Sequence, residues 1–444
     1  GYFLEGQVND VGYTAICTPG WVKGMATILQ RWGTISWAAA LEPAVRVAQE
    51  GFVVSDRMAM RWITKSKYPE GVEWIDCIRS NPEASRIYLK ADGQTYGVGE
   101  RLRNPDYAHT LRHLGQQGAD DFYHGELARR MGADLEANGA LVTTADLANY
   151  SLHEDCLVTS SYRDYSLTGI TAPHGGPTLI AILNILEGYN LASLGHNSPD
   201  YIYLVSMAMK AAFADRNRFM ADPDFLDVPL DWMMSKARAA EWRTHIDAGK
   251  PIEAASFTPT GAPDTTHVSV VDGQGNCVAL THSLGGASSG VITPGLGFMY
   301  NNSMINFDPL PGNVNSIAPG KGRTTGMAPT IIYQNGKPLL VLGSPGATRI
   351  ITSNVQVILN VLDFGMGVSD AVYAPRFDCQ INTIRCHARI PEYVCAEVRK
   401  RHPIERFPQS HGAFALVHAI TIDPVTGKLA GGADTGADGM ALLV

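Results

Sequence analysis

Apolar positions recur at helical spacing over Trp21–Trp32 and again at Leu41, Ala44, Val45 and Ala48. That spacing predicts two helices joined by a turn at Gly33, the second closed by Gly51. Residues 105–137 and 144–150 predict further amphipathic helices, broken at Asn138-Gly139. The pattern turns strand-like over 157–171, and Ala172-Pro-His-Gly-Gly-Pro-Thr178 then punctuates the chain. The next helix, Leu179–Gly188, carries Ile180, Ile182, Leu183, Ile185 and Leu186 and is apolar nearly all round. Such a helix is expected to be buried on most sides. A long helix over 199–221 stops at Asp222-Pro223.

From 250 to 264 the periodicity ends. Pro251, Pro259, Gly261 and Pro263, with threonines between them, predict an exposed and mobile linker up to Asp264. Beyond it the chain becomes β-rich. Val268, Val270, Val278 and Leu280 alternate with more polar residues on either side of Asp272-Gly-Gln-Gly-Asn276, which predicts two strands joined by a tight turn. Strands at 329–334 and 337–342 follow, then Gly343-Ser-Pro-Gly-Ala-Thr348, a long helix over 349–364, and hairpin strands at 413–423 and 427–433. No internal repeat is visible. A helix-rich first half and a strand-plus-helix second half fit one layered α+β fold better than two independent modules.

Composition narrows the partners. The 444 residues can bury a sizeable core, and 45% hydrophobic with 18% charged residues is ordinary for a globular protein. A formal net charge of −8 argues against nucleic-acid or anionic-membrane partners, which need a basic face. No apolar run reaches the roughly 20 residues of a spanning helix. The start, Gly-Tyr-Phe-Leu-Glu, shows neither an initiator Met nor a signal peptide, so the chain reads as a fragment or a processed form. Seven cysteines, odd in number and scattered, read as free thiols of a reducing compartment or as plain core residues, which leaves the location open and leans to the cytoplasm over a periplasmic or secreted one. Cys379, Cys386 and His387 lie close in sequence, but their spacing fits no common zinc pattern.

Three stretches bear on chemistry. Thr265 opens a strand directly after the linker, and Thr281 and Ser283 end the strand paired with it. A threonine hydroxyl is a weak nucleophile, but cleavage of the preceding peptide bond frees an α-amine of pKa about 7.7–8 that can act as its base. Thr265-Thr266 also read as plain β-formers at a strand edge, and on the residues alone that reading leads. The second stretch is Gly343–Thr348, where a buried strand turns into a helix and backbone N–H groups can face a developing oxyanion. An ordinary strand-to-helix turn is the competing reading there. The third is Gly286-Ala-Ser-Ser-Gly290, which matches a nucleophile-elbow serine, with His174-Gly-Gly as an esterase-type partner. Val291-Ile-Thr-Pro-Gly-Leu-Gly297 cannot supply the helix that elbow requires. His267, His282, His387, His402, His411 and His418 read as structural.

The segment Thr265-Thr-His-Val-Ser-Val-Val-Asp-Gly-Gln-Gly-Asn276 resembles the start of the small subunit of the γ-glutamyltransferase family. So do Asn301-Asn-Ser-Met304, Met327-Ala-Pro-Thr330, Gly343-Ser-Pro-Gly346, Arg349-Ile-Ile351 and Ala374-Pro-Arg-Phe377. Upstream, Pro19-Gly-Trp-Val-Lys-Gly24, Glu50-Gly-Phe52, Phe122-Tyr-His-Gly125, Asp146-Leu-Ala-Asn-Tyr150 and Ala214-Asp-Arg216 are similar to the large subunit. The resemblance spans essentially the whole chain, in order. It implies an N-terminal-nucleophile hydrolase, a four-layer αββα sandwich made as one precursor that cuts itself at Asp264–Thr265. Residues 1–264 then form the large subunit and 265–444 the small one, together one αββα domain. A dimer of such heterodimers is compatible with this. Thr265 matches the nucleophile, Ser283 stands where the family has a supporting Thr, and Thr281 matches a nearby Thr. Gly346 and Ala347 occupy the oxyanion Gly-Gly pair. No metal or organic cofactor is implied.

The departures concern the acyl pocket. Asn306 stands where the family has the Asp that pairs with the substrate's α-ammonium group. Gly285 replaces an Asn at the glutamyl end, and Thr325-Gly326 replaces a Ser-Ser carboxylate contact, with Ser303 in the same substrate-binding set. The family's carboxylate-clamping Arg lies upstream of Gly1. The expected activity is therefore that of a threonine-nucleophile amidohydrolase or acylase on a small-molecule amide. Its acyl part lacks the α-amino group: a glutaryl-type acid or a small ω-amide acid such as oxamate. The alternatives are a genuine γ-glutamyl hydrolase or transferase and an uncleaved, silent homologue.

Overall fold

Strand alternation and tight turns set up an antiparallel sheet around which the first of two units is built. The computed structural model describes residues 4–63, 72–154, 156–254, 265–286, 288–408, 414–436 and 438–444. Asp264 and most of the expected linker lie outside the described residues. The chain divides into one unit of residues 155–283 and 306–444 and another of residues 2–154 and 284–305. Residues on both sides of the expected 264/265 boundary fall in the first unit.

In that unit β1 (Leu157–Tyr162) and β2 (Tyr165–Ile170) form a hairpin, followed by α1 (Gly176–Leu186) and α2 (Pro199–Phe219). A second hairpin is β3 (Thr265–Val271) and β4 (Cys277–Ser283). Then come β5 (Thr330–Gln334), β6 (Lys337–Gly343), α3 (Arg349–Leu362), β7 (His418–Ile422) and β8 (Leu429–Ala433). Six of these strands make one antiparallel sheet in the order β8-β7-β6-β5-β2-β1. The β5–β6 turn is the pair Asn335-Gly336, both at positive φ (51° and 76°), which suits the right-handed twist of a two-residue hairpin.

The element types follow the sequence pattern, with boundaries moved by a few residues. The region expected as one strand-like stretch over 157–171 is a hairpin. All residues of α1 are buried, as its apolar circumference requires. Its Ile and Leu side chains contribute about 1.5–3 kcal/mol each through burial, before conformational entropy is charged. In α3 every residue from Ile350 to Asn360 is buried, polar ones included, and several of those polar groups are paired, although Ser353 Oγ and Asn360 Oδ1 have no partner among the described residues. Asn354 donates to the Ala328 carbonyl (2.9 Å) and accepts from the Ser344 hydroxyl (2.9 Å), tying the turn after β6 to the helix. Gln356 exchanges hydrogen bonds with both backbone groups of Phe377.

The β3–β4 hairpin packs on β6 and β7. Its polar side faces in. His267 is 2% exposed, whereas Val268, Val270 and Val278 are 46%, 46% and 44% exposed. A period-2 strand must bury one face, and here that face is Thr265, His267 and Ser269.

The second unit is mostly helical. Trp37–Glu50 packs on Pro105–Gln117 through Val45, Ala48, Ala108 and Leu111. Ser36, Asn104 and Thr143 cap their helices by accepting backbone N–H bonds, and Thr143 with Asp146 completes a capping box. Among the described residues no helix is long and apolar enough to cross a membrane.

Candidate active site

Strand register places the first hydroxyls. Thr265 pairs with Ser283 and His267 with Thr281. The Thr265 hydroxyl donates to Ser283 Oγ at 3.0 Å. Thr281 turns instead to His267, its Oγ1 lying 2.8 Å from Nδ1. His267 Nε2 lies 3.0 Å from Ser269 Oγ, and Ser269 reaches the Val341 and His418 carbonyls at 3.4 Å each. Ser269 therefore spends its proton on carbonyls and accepts from Nε2–H. That leaves Nδ1 to accept from Thr281. The lone pairs of Thr281 then face away from the ring.

The imidazole is held from behind as well. His418 Nδ1 donates to the His267 carbonyl at 3.0 Å. Gly343 ends β6 under the ring, where a Cβ would fall 2.3 Å from His267 Cε1. Burial, followed by the proximity of His418, pulls the His267 pKa down to about 3. The residue is structural, as the sequence reading has it, but it fixes the strand that bears Thr265. Its folded pKa lies below the unfolded value of about 6.5, so the unfolded chain binds the extra proton between those limits. Stability from this group is complete above about pH 6.5 and declines as pH falls towards 3, by at most about 1.4 kcal/mol per pH unit. Denaturant titrations from pH 7 to 4 are expected to show a shallower acid loss in His267→Asn than in the parent. Equal slopes would remove His267 as the source.

The second candidate element is the turn after β6. Pro345 accepts from Leu416 N–H at 3.0 Å, which lays residues 415–416 alongside the turn. Gly346 has φ 152° and Ala347 φ 55°. A Cβ on Gly346 would meet the Ala415 Cβ at 2.3 Å. Left-handed backbone costs an alanine roughly 1–2 kcal/mol. The strain sits at the mouth of α3, and among the described residues neither the Gly346 nor the Ala347 N–H has a hydrogen-bond partner. Two donors at a helix N-terminus without partners can meet a developing negative charge.

The residues expected to bind substrate are distributed over both units. Thr325 and Gly326 lie in the first. Thr325 is buried; its hydroxyl accepts from Met327 N–H (2.9 Å), its N–H donates to the Pro173 carbonyl (2.9 Å), and its carbonyl accepts from Arg216 Nη2 (2.7 Å). Burial among neutral groups lowers the Arg216 pKa to about 10. Gly326 is a packing residue: a Cβ there would sit 2.2 Å from the Ala347 carbonyl oxygen. The missing Ser at this position is thus tied to the turn closing onto it, which sequence comparison with the family's Ser-Ser did not reveal. Asn306 is half-buried at the end of the 3₁₀ turn Ser303–Asn306, and its carbonyl accepts from Asn315 Nδ2 (2.7 Å). In the second unit Ser303 is buried and takes an N–H bond to Asn301 Oδ1 (3.0 Å). Gly285 has φ 101°, and a Cβ on it would strike Asn302 Oδ1 at 2.6 Å. Asn302 is itself held by Gly286 N–H and Asp10.

The rival stretches take structural roles. Ser288 is 1% exposed, bonded to Gly290 N–H, and no helix follows it before Ser303 among the described residues. The His174-Gly-Gly glycines are packing positions, a Cβ on Gly176 falling 2.1 Å from the Ile170 carbonyl. Asp215 of the Ala-Asp-Arg motif pairs with Arg238 at 2.7 Å. Cys386 Sγ lies 3.5 Å from Cys395 Sγ, and among the described residues no group of three or more His, Cys, Asp or Glu is arranged for a metal ion.

A strand-initial hydroxyl on a hairpin packed against a large antiparallel sheet, with helices behind it, is the arrangement of an N-terminal-nucleophile hydrolase. Comparison with known proteins gives the same class. The gamma-glutamyltranspeptidase family model matches residues 2–444. The chain is 36% identical to the acylase ACY 1 proenzyme of Pseudomonas sp. (strain SE83), over 98% of this chain and 76% of that protein. It is 33% identical to the glutathione hydrolase proenzyme of Escherichia coli (strain K12), over 85% and 68%. Among solved structures, cephalosporin acylase from Bacillus halodurans superposes with a TM-score of 0.83 at 27% identity, covering 97% of this chain and 78% of that one. The chain belongs to the gamma-glutamyltranspeptidase family. It is a self-processing amidohydrolase or acyltransferase of the N-terminal-nucleophile type.

Proposed function

We propose that this enzyme is an acylase whose nucleophile is Thr265, released by cleavage of the Asp264–Thr265 bond. The observation that carries the reading is the Thr265–Ser283 hydroxyl pair at 3.0 Å, at the start of a strand. Thr265 Oγ attacks the amide carbonyl while the freed α-amine of the same residue takes the proton. The Gly346 and Ala347 N–H groups receive the oxyanion, the amine departs, and water or a second amine resolves the acyl-enzyme. The six-stranded sheet draws β1 and β2 from before the cleaved bond and β5 to β8 from after it. A large piece ending at Asp264 and a small piece starting at Thr265 therefore stay joined by the β2–β5 ladder.

The acyl group is of the glutaryl type, without an α-ammonium group. Asn306 supports this, since an amide in place of a carboxylate withholds a charge-assisted contact of about 1.5–3 kcal/mol. The similarity to two acylases agrees with it. The second reading, a γ-glutamyl hydrolase, draws on the 33% identity to a glutathione hydrolase proenzyme. A panel of anilides separates the two. Glutaryl anilide should turn over faster than γ-glutamyl anilide, and Asn306→Asp should move the ratio about 10- to 100-fold towards γ-glutamyl. Faster γ-glutamyl turnover by the parent enzyme selects the second reading.

A further inference from the structure

A separate cavity of about 240 Å³ opens in the first unit, lined by Tyr373, Arg376, His387, Arg389, Phe414 and Asp434 among others. No step proposed for Thr265 uses it. Two guanidinium groups and one carboxylate reach it, so its walls carry an excess positive charge. The carboxylate is already committed. Asp434 is ion-paired with Arg376 Nη2 and accepts Gly436 N–H at 2.8 Å through its other oxygen. Arg376 is buried and gives its remaining Nη bonds to the Val372 and Ala415 carbonyls. Its Nε is buried with no hydrogen-bond partner among the described residues.

Arg389 stands at the exposed edge of the cavity with neutral partners. Its Nη2 donates to the Tyr373 carbonyl (2.6 Å), and its Nε and backbone N–H converge on His387 Nδ1 (3.3 and 3.2 Å). Among the described residues it has no carboxylate within ion-pair distance. Burial, followed by the nearby Arg376, lowers its pKa, and Asp434 opposes that shift. The wall between these donors is aromatic: the Phe414 ring lies 6.2 Å from His387 and 5.4 Å from Phe407, centroid to centroid.

We infer that this cavity binds a small carboxylic acid with a flat apolar body, its carboxylate set between Arg376 and Arg389 and its body on Phe414. With the Nη groups of Arg376 engaged, the donors left for a carboxylate are Arg376 Nε and Arg389 Nη1, and the volume lies below that of drug-sized pockets, which restricts the ligand to a small acid. The site also reaches the proposed catalytic turn. Arg376 Nη2 donates to the Ala415 carbonyl at 3.2 Å, and Ala415 is the residue packed on Gly346. Only this coupling rests on the proposed function; binding itself does not.

Benzoate is the probe, titrated calorimetrically into the processed enzyme and into Thr265→Ala. Saturable binding is expected in both, weakened at least tenfold in Arg389→Gln, a substitution at an exposed side chain that leaves the buried Arg376–Asp434 pair in place. Benzylamine should not bind. The proposal is overturned if benzoate does not saturate, if Arg389→Gln binds it unchanged, or if benzylamine binds as well as benzoate. Because Thr265→Ala is included, a failure of the proposed nucleophile leaves this test intact. A shift of glutaryl-anilide turnover at saturating benzoate, absent in Arg389→Gln, reports the coupling to Gly346.

Discussion

Thr265→Ala should persist as a single uncut chain on denaturing electrophoresis, while the parent resolves into two pieces, the smaller beginning at Thr265. Amide turnover should fall on the order of 10⁴-fold or more, the scale seen when a covalent nucleophile is removed. The two readouts share one cause. On the proposed reading one hydroxyl attacks both the substrate carbonyl and the carbonyl of its own preceding peptide bond, and alanine leaves neither attack a nucleophile. Thr265 is half-buried and, among the described residues, its hydroxyl bonds only to Ser283, so the substitution should cost little stability. Unchanged melting with lost maturation is thus the expected combination. Normal maturation of Thr265→Ala would move the nucleophile to another residue, Thr266 first.

Gly346→Ala is expected to lower kcat about 10²- to 10³-fold, the usual cost of displacing one oxyanion donor. A Cβ at Gly346 would lie 2.3 Å from the Ala415 Cβ and 2.6 Å from its Cα, and φ 152° disfavours any side chain. The turn must therefore shift, and the Gly346 and Ala347 N–H groups shift with it. Adding Ala415→Gly removes one of the two clashing atoms, so the double variant should regain part of kcat. KM should change less than kcat in both variants if the donors act on the transition state rather than on bound substrate. Equal loss in the single and double variants would point to general unfolding, which circular dichroism melts would show directly.

The legible part of this site was the part written in local pattern. Alternation around Asp272–Asn276 placed Thr265, Thr281 and Ser283 on paired strands, and the observed register sets Thr265 opposite Ser283. The Gly343–Thr348 turn between a buried strand and a buried helix was equally plain. His267 reads as structural from the sequence, and its place on the same strand face as Thr265 follows from the period of two. Its hydrogen bonds to Thr281 and Ser269 do not follow, because which face of a half-polar hairpin turns inward depends on what the neighbouring sheet offers. That sheet offers the bare backbone of Gly343, which only a folded structure brings under the imidazole.

Sequence alone determined the class of elements, the hairpin around Asp272–Asn276, the buried helices and the candidate hydroxyls, because each depends on residues within a few positions of one another. It also identified the family through short motifs in a conserved order. Tertiary structure decided what those residues touch. It turned Gly326 from a missing serine into the floor beneath Ala347, put Ala347 in left-handed backbone, and set Arg216 behind Thr325. It also assembled the Arg376–Arg389 cavity from segments that share no local pattern. Close approach between distant backbones is fixed by packing, and packing is a property of the whole core rather than of any stretch of sequence.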